Sequence, residues 1–217
     1  MPETTNKQDL LIDRLADALQ PVRRPRPAPW RALAWMALAL PCGMLATRLM
    51  PLYVPDWSAP GMGWSMAEIA LALVLGVAAA MLAFDTSIAG RAMRGRGVLV
   101  AVGVLWLAVC AANIAGTVPH IMPHAIPRGA GLYCYSFMML ASAPMMPMVI
   151  VALRRTRALH PGRTLAMAGV GIAFLVSGLL GFCHPGGLHL IDFIMHLAAG
   201  ASIVTLTTVL GRRFIAA

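Results

Sequence analysis

Residues 181–196 read GFCHPGGLHLIDFIMH and bring a thiol, three imidazoles and a carboxylate into one short stretch: Cys183, His184, His189, Asp192 and His196. His189 precedes Asp192 by three residues and Asp192 precedes His196 by four, a spacing that puts all three on one face of a helix. A second thiol, Cys134, opens a distant apolar run in GLYCYSFMML, and the segment TVPHIMPHAIPRG carries His120, Met122 and His124. Thiolate, thioether and imidazole donors suit soft or borderline ions such as Cu(I) and Zn(II). Two thiols alone suit oxidation to a disulfide, and a carboxylate such as Asp192 can orient a neighbouring imidazole. The same residues also have plainer readings. A disulfide between Cys134 and Cys183 can be purely structural, a His189–Asp192 pair can tie two helices together, and His120 and His124 can be ordinary solvated loop residues. Cys42, Cys110 and most of the 16 methionines read as packing residues.

The elements that must position these groups are membrane spans. The 217-residue chain is 59% hydrophobic and 12% charged, with a mean hydropathy of +0.77, well to the apolar side of a soluble domain. A span needs roughly 20 apolar residues, and six stretches qualify: 32–52, 66–84, 98–116, 133–153, 165–182 and 188–210. The backbone in lipid must satisfy its own hydrogen bonds, so the expected fold is an all-α integral membrane protein of six transmembrane helices. Residues 1–31 form a cytoplasmic tail and 32–217 the membrane domain; the charged head is too long and too acidic for a cleaved signal peptide.

The net charge of +9 is distributed as a topology signal rather than a nucleic-acid footprint. With both termini cytoplasmic, 15 of the 17 basic residues fall inside, and only Arg48 and Arg128 outside. This choice makes no use of the histidines, yet it puts His120, His124, His184, His189 and His196 at or near the outer face, leaving only His160 inside. Cys134 and Cys183 face the same side, where disulfides persist. Within the spans little polarity is expected beyond Asn113, Ser142, Ser177 and Thr205.

The tail has its own pattern. In QDLLIDRLADALQ, residues 8–20, Leu11, Leu15, Ala18 and Leu19 form a helical stripe, while Asp9, Asp13, Arg14 and Asp17 lie mostly off it. Asp9 is a plausible cap, Pro21 stops the helix, and PVRRPRPAPW is a stiff linker to the membrane. Three acidic residues disfavour anionic lipid as the helix's partner; a groove on a soluble protein fits better.

With these parts in view, the chain resembles the NrsF-type membrane anti-sigma factors of proteobacteria over nearly its whole length. The resemblance is carried by LIDRLADALQPVRR, by the cysteine in GLYCYSFMML, by LRRTRALHPGRTLAMAGVGIA, by the second cysteine in LLGFCHPGG and by the histidine in DFIMH. It implies a multi-pass protein of the bacterial inner membrane. The tail, through Leu11, Leu15, Leu19 and Asp13, would hold an extracytoplasmic-function sigma factor, and Cys134 and Cys183 would sense metal or redox stress from the periplasm. The sequence departs from the family pattern at His184, which separates Cys183 from Pro185, and at Met195, where an aromatic residue is expected.

On this reading the signal is a soft metal ion (Cu or Zn) or an oxidant. The partners are the sigma factor and membrane lipid, with no direct nucleic-acid contact. The chief alternative is a metal transporter or metal-delivery protein using the same outer cluster, which would need polar groups along the midplane. A haem oxidoreductase would need paired histidines on facing helices. No nucleophile–base arrangement, phosphate loop or HExxH motif is present, so no enzymatic activity is expected.

Overall fold

The computed structural model describes residues 7–18, 25–50, 56–58, 62–91, 95–117, 130–156, 158–183 and 189–216. Among the described residues there are seven helices: α1 (Lys7–Asp17), α2 (Ala28–Thr47), α3 (Met62–Thr86), α4 (Arg96–Thr117), α5 (Ala130–Arg154), α6 (Pro161–Gly181) and α7 (Leu190–Ala216). Among the described residues there is no strand. Local chemistry sets several boundaries. Pro161 stands at the first position of α6, where its missing N–H costs nothing. Gly90 and Gly95, both at positive φ, turn the chain between α3 and α4.

Five helices, α3 to α7, are long and apolar enough to cross a membrane. α2 is not one of these five; Pro29, Trp30 and Arg31 occupy its first turn. It nevertheless packs into the same core through Ala32, Trp35, Met36 and Ala39. Large apolar side chains remain exposed along the outside of the bundle, including Val98, Val104 and Leu107 on α4 and Leu190, Ile194 and Leu197 on α7. A surface of this kind is compatible with a multi-pass membrane protein.

The bundle is built around α3 and α6. α6 also packs on α7, α7 on α5, α5 on α2 and α2 on α3, which closes a ring; α4 lies outside it against α3. The α3–α6 approach depends on small residues. On α3, Ala72, Gly76 and Ala80 recur at four-residue intervals and are all buried, the spacing that lets two helix backbones approach closely in lipid. A Cβ added at Gly171 of α6 would meet three backbone atoms of α3, the nearest being the Ala80 N at 2.9 Å. No flexible side chain is there to give way, so the helices themselves would have to separate.

The two ends of the bundle have different chemistry. At one end Arg31 of α2 donates to the Phe84 carbonyl and the Ser87 hydroxyl, at 3.3 and 3.2 Å, and to the Thr156 hydroxyl at 3.3 Å. Its guanidinium also lies over the Phe84 ring, 5.1 Å from the centroid. The start of α2 is thereby tied to the ends of α3 and α5. The sequence reading made Arg31 one more topology anchor, whereas it is also a three-helix clasp. The opposite end holds the starts of α3, α5 and α7 and the ends of α4 and α6. α1 ends at Asp17, sooner than the expected 8–20, and residues 8–18 are exposed throughout.

Gly171→Val is expected to destabilise the bundle by about 1–3 kcal/mol, the usual range for overpacking. Gly103→Ala, whose Cβ would meet nothing within 4 Å, is expected to stay within about 0.5 kcal/mol of the parent. Unfolding titrations in mixed detergent micelles measure both.

Candidate functional site

Cys134 lies in the second turn of α5 with its side chain turned inward, 0% exposed. Its Sγ donates to Oδ1 of Asp192 on α7 at 3.7 Å, and Asp192 is itself only 1% exposed. A buried carboxylate is costly unless donors face it. Asp192 stands in the first turn of α7, where the unpaired N–H groups and positive end of the helix dipole favour negative charge. Gly131 makes the approach possible, since a Cβ there would come within 2.9 Å of the Met195 Cγ. One residue after Cys134, Tyr135 of α5 shares a hydrogen bond of 3.1 Å with Ser202 of α7.

Asp192 and His196 stand four residues apart on α7, while His189 precedes the helix, and the three reach different surroundings. His189 immediately precedes α7, and its Nδ1 is buried with no hydrogen-bond partner among the described residues. His196 lines a cavity of about 170 Å³ together with Trp106, Met138, Phe174 and Ser177. Asp192, expected as a support for imidazole, takes the Cys134 thiol as a partner.

Cys183 follows the end of α6, half-buried, and its N–H closes the helix on the Leu180 carbonyl at 2.8 Å. Burial pushes its thiol pKa up, while the nearby Arg48 guanidinium pulls it down. All four cysteines are free. Cys134 faces Asp192, and Cys183 lies near Arg48 at the end of α2. Among the described residues, no three His, Cys, Asp or Glu side chains form a metal-ligand set. His120, His124 and His184 lie outside the described residues.

A second polar cluster at this end adds Glu68 to the span polarity expected from Asn113. Asn113 of α4 donates from Nδ2 to Glu68 Oε2 on α3 at 2.9 Å, and also points at Ser65 Oγ at 3.4 Å. The Cys110 thiol lies beside the same carboxylate. Cys110 still packs as expected, against Ala72, Leu75 and Trp106, but it also has a polar neighbour. Glu68 was legible as an acid embedded in the apolar run MAEIALALVLG, a signal for function or pairing in a span. Trp106 links the two clusters, meeting Phe174 edge-on at 5.1 Å and Phe193, the residue after Asp192, at 6.1 Å.

Of the tail residues named above, Leu11, Leu15 and Asp13 are exposed on α1, and Leu19 lies outside the described residues. The fold and site together define an all-helical bundle with an apolar exterior and two thiol–carboxylate contacts at one end, of which Cys134–Asp192 is fully buried. No family model, curated protein or solved structure matches the chain.

Burial sets an order of thiol reactivity. In the folded protein Cys183 is expected to react with a maleimide while Cys134 stays protected, and denaturant should make the two equal. Peptide mass mapping after a timed pulse checks this, and equal native rates would contradict the buried Cys134–Asp192 contact.

Proposed function

We propose that the protein is a membrane-embedded anti-sigma factor of the bacterial inner membrane, with six spans and both termini in the cytoplasm. Its tail sequesters an extracytoplasmic-function sigma factor, and its periplasmic end releases it under metal or redox stress. The observation that carries this reading is α1. Leu10, Leu11, Ile12 and Leu15 are each more than half exposed, on a helix that packs closely on no other helix among the described residues. A short amphipathic helix with an open apolar stripe, held to the membrane by a linker, is built for a groove on a soluble protein. α2, carrying Arg31, Trp35 and Pro41, is the first of the six spans in this reading.

The sensing end rests on Cys134 and Cys183. In the resting protein the Cys134 thiol is held against Asp192. A thiophilic metal displaces that proton and gains thiolate and carboxylate together; an oxidant forms a Cys134–Cys183 disulfide. Two groups do not complete a metal's shell, so a metal signal draws further ligands from His184, His189 or the loop histidines. Either event pulls on the start of α5. That helix runs the length of the bundle to Arg154, and just beyond it Thr156 accepts the Arg31 hydrogen bond. Arg31 begins α2, and the tail precedes α2, so α5 is the lever from sensor to effector. A hundredfold release of the sigma factor needs about 2.7 kcal/mol of coupling, within the usual range for allostery.

Glu68 supports a second reading, transport of a metal ion, because it adds an acid within a span. It lies at the same end as Cys134, however, and the described midplane offers no acidic continuation toward Asp85.

Removal of residues 1–22 is expected to abolish co-purification of the sigma factor, and Leu11→Asp with Leu15→Asp to weaken it at least a hundredfold, as loss of two anchor residues does. Cys134→Ser with Cys183→Ser should keep the sigma factor bound under metal or oxidant challenge. A pull-down and a sigma-dependent reporter read these outcomes; normal induction in the double serine variant would sink the sensing role.

A further inference from the structure

A groove of about 630 Å³ runs between α2 and α5 on the Arg31 side of the bundle. Its walls are apolar, among them Trp35, Leu38, Met148 and Val151, and two guanidinium groups, Arg31 and Arg155, stand on it. A neighbouring hollow of about 550 Å³, sharing Ala34, adds Arg26 and Trp30. The groove extends along α2 from Arg31 to Cys42, about 16 Å at 1.5 Å per residue. That matches one leaflet of hydrocarbon, half of the roughly 30 Å apolar thickness of a bilayer. Trp30 is 68% exposed one residue before Arg31, and exposed tryptophan favours the headgroup level. The arginines therefore stand at headgroup height with the apolar trough below them.

Arg31 is poised to take an anion. Its three hydrogen bonds engage at most three of its five N–H donors. Its charge faces no carboxylate among the described residues, since its partners are a carbonyl and two hydroxyls. Arg155 is exposed beside it. We propose that this groove binds an anionic phospholipid of the cytoplasmic leaflet, with its phosphate between Arg31 and Arg155 and one acyl chain along α2 toward Cys42. The inference rests on the reading of α2 as a span. It puts the lipid at the joint between the tail and the bundle, where anionic lipid content bears on the Arg31 clasp.

The test uses the full chain with Trp57, Trp64 and Trp106 replaced by phenylalanine, so that only Trp30 and Trp35 fluoresce. The protein is reconstituted into phosphatidylcholine vesicles containing phosphatidylglycerol, with brominated tails on one lipid or the other. Brominated phosphatidylglycerol should quench more strongly than its mole fraction predicts. Arg155→Gln should reduce that preference about fivefold, the effect of one basic residue at a charged membrane surface, whereas Arg213→Gln should not. Quenching in proportion to mole fraction for both lipids overturns the lipid site while leaving α2 in the bilayer. No quenching by either lipid overturns the α2 span itself. The unsubstituted chain gives an independent reading by native mass spectrometry from micelles holding equal amounts of both lipids. Preferential retention of phosphatidylglycerol supports the site, and equal or no retention overturns it.

Discussion

A charged group among apolar side chains must find its partners inside the protein, and the ends of this bundle are organised by that requirement. Asp192 has the Cys134 thiol and the start of its own helix. Glu68 has Asn113 and the Cys110 thiol. Arg31 has the Phe84 carbonyl, two hydroxyls and an aromatic face. Each set spans at least two helices, so satisfying the charge also fixes which helices are neighbours. The apolar middle then packs mostly by shape, and the small residues Ala72, Gly76, Ala80 and Gly171 let α3 and α6 come together.

Among the described residues, charged side chains stand toward the two ends of the bundle. The two ends are nevertheless mechanically connected, because α5 bears Cys134 near its start and leads into Thr156 after its end. Two prolines, Pro144 and Pro147, interrupt its hydrogen bonding midway, and such interruptions are where helices bend. A change at one end thus meets a single element that already has a joint.

The resting chemistry of Cys134 is also informative. A fully buried thiol donating to a carboxylate is protected from casual oxidation, as a surface thiolate is not. Cys183 is more accessible and lies near Arg48. The two cysteines are therefore chemically unequal.

Composition and spacing were enough to determine the helical class, the placement of α3 to α7 and the amphipathic α1, since apolar length and 3.6-residue periodicity are local properties of a chain. The three-then-four spacing of His189, Asp192 and His196 was legible for the same reason. Which group each of them meets was not, because Cys134 lies 58 residues from Asp192 and only helix packing brings them together. The same holds for Glu68 with Asn113, 45 residues apart, and for Arg31 with Thr156, 125 apart. Sequence alone showed an arginine near a membrane boundary; the tertiary structure made it a clasp on three helices, because a guanidinium needs acceptors and the nearest ones belong to other elements.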